Sequence, residues 1–183
     1  AEPASPVGET TVSATAASID LVTGNKYLYE ADARWPDGLV FARHYNSRNA
    51  LARTLGPGWS HSWDTQVARR SSTELQVIQG DGRRRVFHRS SADGAVAVYR
   101  STDALVGQIT ESIEPDTPIA FVWRLSDGRE LRFDARGRLV VLRDVQGRRV
   151  QLEYDPLSAR LRVVRNGAGA SLHAGAAGTS ARR

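Results

Sequence analysis

Toward its C-terminal end the chain writes one phrase twice. Leu131-Arg132-Phe133-Asp134-Ala135-Arg136-Gly137-Arg138-Leu139 is answered by Leu152-Glu153-Tyr154-Asp155 and then Arg160-Leu161. Phe133 and Tyr154 are 21 residues apart, and Arg138 and Arg160 are 22 apart, because Pro156-Leu157-Ser158-Ala159 replaces Ala135-Arg136-Gly137. The match runs on at 22 through Val141 and Val163, Leu142 and Val164, Arg143 and Arg165, Asp144 and Asn166, and Gly147 and Gly169. A fixed period of about 20–50 residues marks units that cannot bury an apolar face alone and do so by stacking on their neighbours. This constraint outranks any single residue.

The rest of the chain reads as β. Asp37-Gly38, Asp81-Gly82, Asp93-Gly94 and Asp127-Gly128 punctuate segments that alternate with period two, such as Leu39-Val40-Phe41-Ala42-Arg43-His44-Tyr45. Asp-Gly predicts hairpin turns of type I′, in which both central residues need positive φ. No segment holds a helical period beyond about ten residues. The expected fold class is all-β: an antiparallel meander of hairpins leading into a repeat sheet, with disordered termini. Asp81-Gly82-Arg83…Phe87 also echoes Asp127-Gly128-Arg129…Phe133.

Four segments follow. Residues 1–18 are rich in Ala, Ser, Thr and Pro and read as a flexible lead-in. Residues 19–125 form an opening β domain, residues 126–169 hold the two repeats, and the Gly/Ala/Ser/Arg-rich residues 170–183 read as a disordered tail. A chain of 183 residues is long enough for a real core.

Cysteine is absent, which excludes disulfides, zinc–thiolate sites and cysteine nucleophiles. No run approaches the ~18 apolar residues of a membrane helix, so no membrane insertion is expected. Residue 1 is Ala and the chain has no Met, so Ala1-Glu2-Pro3-Ala4 reads either as a mature end left by signal-peptide cleavage or as an artificial boundary. Of 25 basic residues only Lys26 is not Arg, and the net charge is +5. The arginines are scattered among acids, with one short cluster, Arg83-Arg84-Arg85, so an exposed strand face is expected rather than nucleic-acid binding.

In each repeat the chemistry reads as structural. Phe133 or Tyr154 ends a strand and is expected to stack on the aromatic one repeat away, worth about 0.5–1 kcal/mol. Asp134 or Asp155 accepts backbone N–H groups of the turn. Gly137 supplies a left-handed residue, and Arg138-Leu139 or Arg160-Leu161 opens the next strand with Leu inward. Together these residues resemble the YD repeats of bacterial RHS (rearrangement hotspot) proteins. Ile19-Asp20-Leu21-Val22-Thr23-Gly24-Asn25-Lys26-Tyr27, Phe41-Ala42-Arg43-His44-Tyr45-Asn46-Ser47 and Leu55-Gly56-Pro57-Gly58-Trp59-Ser60-His61-Ser62-Trp63-Asp64 resemble the opening domain that precedes such repeats.

The resemblance covers about residues 19–169 and implies a role in a polymorphic toxin. In such proteins many repeats wind into a hollow β shell that encloses a C-terminal toxin, and enzymatic activity lies in that toxin. By this resemblance the chain is a non-enzymatic scaffold segment, secreted or at the bacterial cell surface or periplasm. No cofactor is expected. The expected partners are further YD repeats or another chain along an open strand edge after Val164, and a component of a secretion apparatus. Two copies fall short of the three or so needed to bury a continuous core, so the chain reads as the front of a longer protein or as a truncated one.

Other sites are weaker. On a continuous strand Trp59, His61 and Trp63 would share one face. With Trp35 in Arg34-Trp35-Pro36-Asp37-Gly38 they would give a carbohydrate platform, as in a secreted or cell-surface-binding β module; the competing reading buries them as core. Ser60 and Ser62 alternate with His61 and face away from it, and no Gly-x-Ser-x-Gly elbow is present, against a hydrolytic triad. His44, His61 and His88 lack the spacing of metal ligands.

Overall fold

The computed structural model describes residues 15–20, 24–34, 40–48, 52–53, 55–114, 116–175 and 178–182. It is built of antiparallel strands, and its one described helical turn is a 3-10 turn at Ala104–Val106. The strands are β1 Thr15–Asp20, β2 Asn25–Arg34, β3 Val40–Asn46, β4 Ala52–Arg53, β5 Gly56–Pro57, β6 Trp59–His61, β7 Gln66–Ser71, β8 Glu74–Ile78 and β9 Arg84–Asp93. They continue with β10 Val96–Arg100, β11 Gln108–Ser112, β12 Phe121–Arg124, β13 Glu130–Phe133, β14 Leu139–Arg143, β15 Arg149–Tyr154, β16 Leu161–Asn166, β17 Ser171–Gly175 and β18 Gly178–Arg182. The all-β antiparallel meander expected from alternation and turn chemistry is the fold.

The chain divides into two compact units after Ser62. The sequence placed its boundary at residue 125 instead, but β12 and β13 pair directly across that point, with Phe121 opposite Phe133. In the first unit β1, β2, β3 and β6 form one sheet and β4 pairs with β5. Residues 15–18, read as lead-in, belong to β1 and pair with β2; residues 1–14 lie outside the described residues, as does Asp37-Gly38.

The second unit is one sheet of 12 strands in sequence order, β7 to β18. Alternation dictates its core. Leu75, Val77, Phe87, Ile109, Phe133, Leu139 and Val150 lose all exposure to solvent, and each such side chain contributes about 1.5–3 kcal/mol. Two polar groups enter this core already partnered. Trp123 Nε1 donates to Val106 O at 2.9 Å, and Tyr99 OH donates to Glu111 Oε2 at 2.8 Å.

The sheet curls back on its first strand. Gln66 of β7 bridges Arg138, and Val67 N donates to Gly137 O at 2.9 Å. Arg69 of β7 reaches the carboxylate of Glu111 on β11, and its guanidinium lies 5.9 Å from the Phe121 ring centre. Strands β15 to β18 then continue past the point of closure. The tail expected to be disordered from residue 170 therefore holds β17 and β18; Leu172, buried opposite Val164, anchors β17. The open edge expected after Val164 is accordingly taken by β17, and the sheet's outer edge is β18.

Candidate functional site

The repeat turns are one device used many times. At 79–83, 125–129, 134–138, 144–148 and 166–170 the first residue's N–H donates to the fifth residue's carbonyl at 2.9–3.0 Å, and the fourth residue's N–H donates back to the first carbonyl. The fourth residue is Gly82, Gly128, Gly137, Gly147 or Gly169, each with φ between +74° and +93°. This is a three-residue loop: a type I turn closed by one left-handed residue. The expected two-residue type I′ turns are absent at Asp81-Gly82 and Asp127-Gly128, because neither aspartate takes positive φ. Each aspartate instead accepts the N–H two residues on, at 3.0 Å from Arg83 and 3.0 Å from Arg129. Asp93-Gly94 differs again: Asp93 faces Val96, leaving a two-residue loop with positive φ at Gly94 only.

At the turn 134–138, Asp134 Oδ1 accepts from Arg136 N at 3.0 Å and Arg138 N at 2.9 Å, while Oδ2 accepts from Arg138 Nε at 2.8 Å. Asp144 repeats this with Gln146 N at 2.9 Å, Arg148 N at 2.8 Å and Arg148 Nε at 2.5 Å. At the turn 155–160 Asp155 Oδ1 accepts from Leu157 N at 3.0 Å and Ser158 N at 2.7 Å. Its longer loop closes through Ala159 at φ +57°, a side-chain-bearing residue where the other turns use glycine. Arg160 N donates to Asp155's neighbour in the loop, Ser158 Oγ, at 3.4 Å, and Leu161 opens β16 opposite Tyr154.

Arg138 joins these pieces. Its guanidinium pairs with Asp134 at 2.7 Å and covers the Tyr154 ring at 4.6 Å from the centre. Tyr154 OH donates to Leu139 O at 2.8 Å. Phe133 lies opposite Phe121 and Leu139, and β14 separates it from the strand of Tyr154. The repeats are thus bridged through a guanidinium, where ring-on-ring stacking was expected. Because Arg138 also bridges Gln66, one residue ties the sheet's first strand to the first and second repeats.

The electrostatics follow from these bonds. Burial pushes the Tyr154 phenol well above its usual range, helped by the nearby Asp64 carboxylate and opposed by Arg138. The Arg129 side chain holds Asp127 below the usual carboxylate range, and the Arg165 side chain does the same for Glu153. For Asp144 burial pushes upward but the bonds from Arg148 outweigh it. For Glu130 burial is likewise outweighed, by Arg132 and Arg124. Asp155 is held down by the Ser158 N–H and then by the Ser158 hydroxyl.

Strand β6 spans Trp59–His61 only, and Trp63 lies beyond it, so the three do not alternate along one strand. Trp63 and His61 are 3% and 2% exposed. Trp59 is half-buried against Tyr45, 5.2 Å between ring centres, and carries Arg43 at 5.4 Å. Trp35 lies outside the described residues. The serines are engaged with backbone: Ser62 Oγ contacts Ala42 O at 3.2 Å and accepts from Ala42 N at 2.9 Å, and Ser60 Oγ donates to His44 O at 3.5 Å. His44 Nδ1 lies 2.6 Å from Tyr27 OH, and His61 packs on Phe41 at 5.7 Å. His88 lies 3.9 Å from Glu74. Among the described residues no three His, Asp, Glu or Cys side chains cluster as a metal site.

Two elements escaped the sequence reading. The Asp144…Gly147-Arg148 turn has the same spacing as Asp134…Gly137-Arg138, a signal ten residues away. Val67, against which Gly137 closes, carries no local signal.

A family model described as a domain of unknown function (DUF6531) matches residues 16–87. That match runs from β1 to the first half of β9 and stops short of the turns at 134–138 and 155–160. No curated protein matches the chain. Among the described residues no helix is long and apolar enough to cross a membrane.

Proposed function

We propose that the chain is a non-enzymatic structural segment of an RHS/YD-repeat protein, beginning the β shell that encloses and delivers a C-terminal toxin in competition between bacteria. One observation carries this reading. The second unit is a single sheet whose first strand is locked against the turn at 134–138, while later strands are laid on in sequence order by a repeated turn. Such a sheet has a fixed inner start and a growing outer edge. The carboxylates at its turns are spent on backbone N–H groups and arginines, which suits a scaffold and leaves them poor acids or bases. On this reading the chain acts in a secreted, periplasmic or cell-surface setting, and its partners are further repeats or a chain that pairs with the outer edge, as exposed strand edges do.

The edge decides the matter. In the isolated chain the amides of Gly178–Arg182 that point away from β17 are expected to exchange rapidly, or to become protected together with self-association seen by light scattering. A monomer with fully protected amides along β18 would refute the open-edge scaffold.

A further inference from the structure

The positive charge of the second unit is unevenly placed. Across β10 to β15 strand register aligns six residues in one row, Arg100 opposite Gln108, then Arg124, Glu130, Arg143 and Arg149, each directly opposite the next, and the same line continues from Arg100 to His88 and Glu74. Their strand neighbours Tyr99, Trp123, Leu131 and Val150 are buried on the other face, so the row lies on the outer face. Adjacent strands are about 4.8 Å apart, which makes the row roughly 24 Å long. Within these six the one carboxylate, Glu130, is shared by Arg124 at 3.1 Å and Arg132 at 2.6 Å, while Glu74 lies at the end of the continued line. Arg143 and Arg149 face each other, a like-charge pair that register alone disfavours.

The row sits beside the turns at 101–107, 125–129 and 144–148. Their acids are neutralised locally: Asp103 by Arg85 at 3.8 Å, Asp127 by Arg129 at 2.7 Å and Asp144 by Arg148 at 2.5 Å. The same turns expose Leu105 at 81% and Val145 at 63%. The opposite end of the sheet also exposes Ile113 and Leu157, with Arg136 and Arg160 in its turns, but there Glu114, Asp116 and Asp155 stand among them. Exposed apolar tips therefore coincide at one end with Arg100, Arg143 and Arg149, which have no ion pair among the described residues, and with Arg124, which shares Glu130.

We propose that this end is a peripheral docking surface for an anionic phospholipid bilayer. Arg100, Arg124, Arg143 and Arg149 meet headgroup phosphates, and Leu105 and Val145 enter the interface. The curl of the sheet selects this partner. The row follows the circumference, so a flat surface met end-on reaches all four arginines, whereas a side-on approach reaches few. A linear polyanion would use the arginines but leave the apolar tips without a role. Nothing spans the bilayer in this arrangement.

The test is co-sedimentation of the 183-residue chain with phosphatidylcholine vesicles, with and without about one-third phosphatidylglycerol, near physiological salt, about 0.15 M. Binding is expected only to the acidic vesicles. Each arginine near such a surface is worth roughly fivefold, so Arg143→Glu with Arg149→Glu is expected to weaken binding by at least ~25-fold. Leu105→Ser with Val145→Ser is expected to weaken it severalfold, and Leu157→Ser, at the opposite end, to leave it unchanged. Urea midpoints matching the unmodified chain show that each variant folds; if the glutamates disturb folding, the paired Gln variants replace them with a smaller loss expected. Failure of the unmodified chain to bind acidic vesicles overturns the proposal, as does full binding by the arginine variant. Loss with the arginines while the Leu105/Val145 variant binds normally also overturns it, in favour of a linear polyanion.

Discussion

Replacing Gly137 with Ala tests the closure of the sheet. Gly137 has φ +74°, and a Cβ there would lie 1.8 Å from Val67 O and 2.9 Å from Val67 C. Gly147 occupies the same position in the next turn at φ +81°, where a Cβ meets only the Arg143 guanidinium at 3.6 Å. Left-handed backbone costs a residue with a side chain about 1–2 kcal/mol, and restriction of the unfolded chain returns about 0.4–1. Gly147→Ala should therefore cost about 1 kcal/mol. Gly137→Ala carries the same term, but the clash is with backbone, so β7 must withdraw. That loses the Val67 N–Gly137 O bond, worth about 1 kcal/mol, and strands a buried donor at about 1–3 kcal/mol. The difference between the two variants should be about 2–3 kcal/mol. Urea unfolding followed by tryptophan fluorescence measures it as a midpoint gap of about 1–2 M. Hydrogen exchange should show the Val67 amide protected in the unmodified chain and in Gly147→Ala, but exposed in Gly137→Ala. Equal costs for the two alanines, or a Val67 amide still protected in Gly137→Ala, would refute the closure.

The clamp and the turns give further tests. A double-mutant cycle with Arg138→Ala and Tyr154→Leu should return a coupling of about 0.5–2 kcal/mol, set by the guanidinium over the ring; no coupling would sever the proposed bridge between repeats. Raising the pH should destabilise the fold from the ordinary phenol value of about 10 upward, because the raised Tyr154 stays protonated when folded and ionises when unfolded. Tyrosinate absorbance from Tyr154 should accordingly appear together with unfolding, and Tyr154→Phe should remove that contribution to the alkaline loss. Asp127, Glu130, Asp144, Glu153 and Asp155 carry the opposite sign: their contribution is complete above about pH 4 and is lost as pH falls through their depressed values. Calorimetry should find their part of the stability flat from about pH 5 to 8. Ala159→Gly should raise stability by about 0.5 kcal/mol, since relief of left-handed strain exceeds the added freedom of the unfolded chain.

Local chemistry made much of this fold legible. Alternation picked out buried residues such as Phe133 and Leu139, and glycine marked the turns. The type of turn was not legible from Asp-Gly alone, because aspartate serves equally well by accepting the N–H two residues on. Trp59, His61 and Trp63 alternate in sequence, yet the strand stops at His61, and the burial of His61 and Trp63 fits the reading of these residues as core. Strand β17 was missed because Gly and Ala dominate its neighbourhood, and a single Leu172 anchors it. The contact of Val67 with Gly137 joins residues 70 apart, and no local pattern records such a pairing.

The even number of strands in each repeat has a consequence for how such a chain changes length. From the turn at Asp134 to the turn at Asp155 the chain makes one outward and one return pass, β14 and β15. Duplicating or deleting that segment in frame leaves the direction of every later strand intact, and each turn stays at its original end. The lock of Val67 on Gly137 lies in the first of these turns, so it survives any exchange that keeps one copy of residues 134–138 at that place. A chain with this layout gains or loses a pair of strands without reversing any later strand, and its sheet begins correctly only while Gly137, or a glycine in its place, still faces Val67.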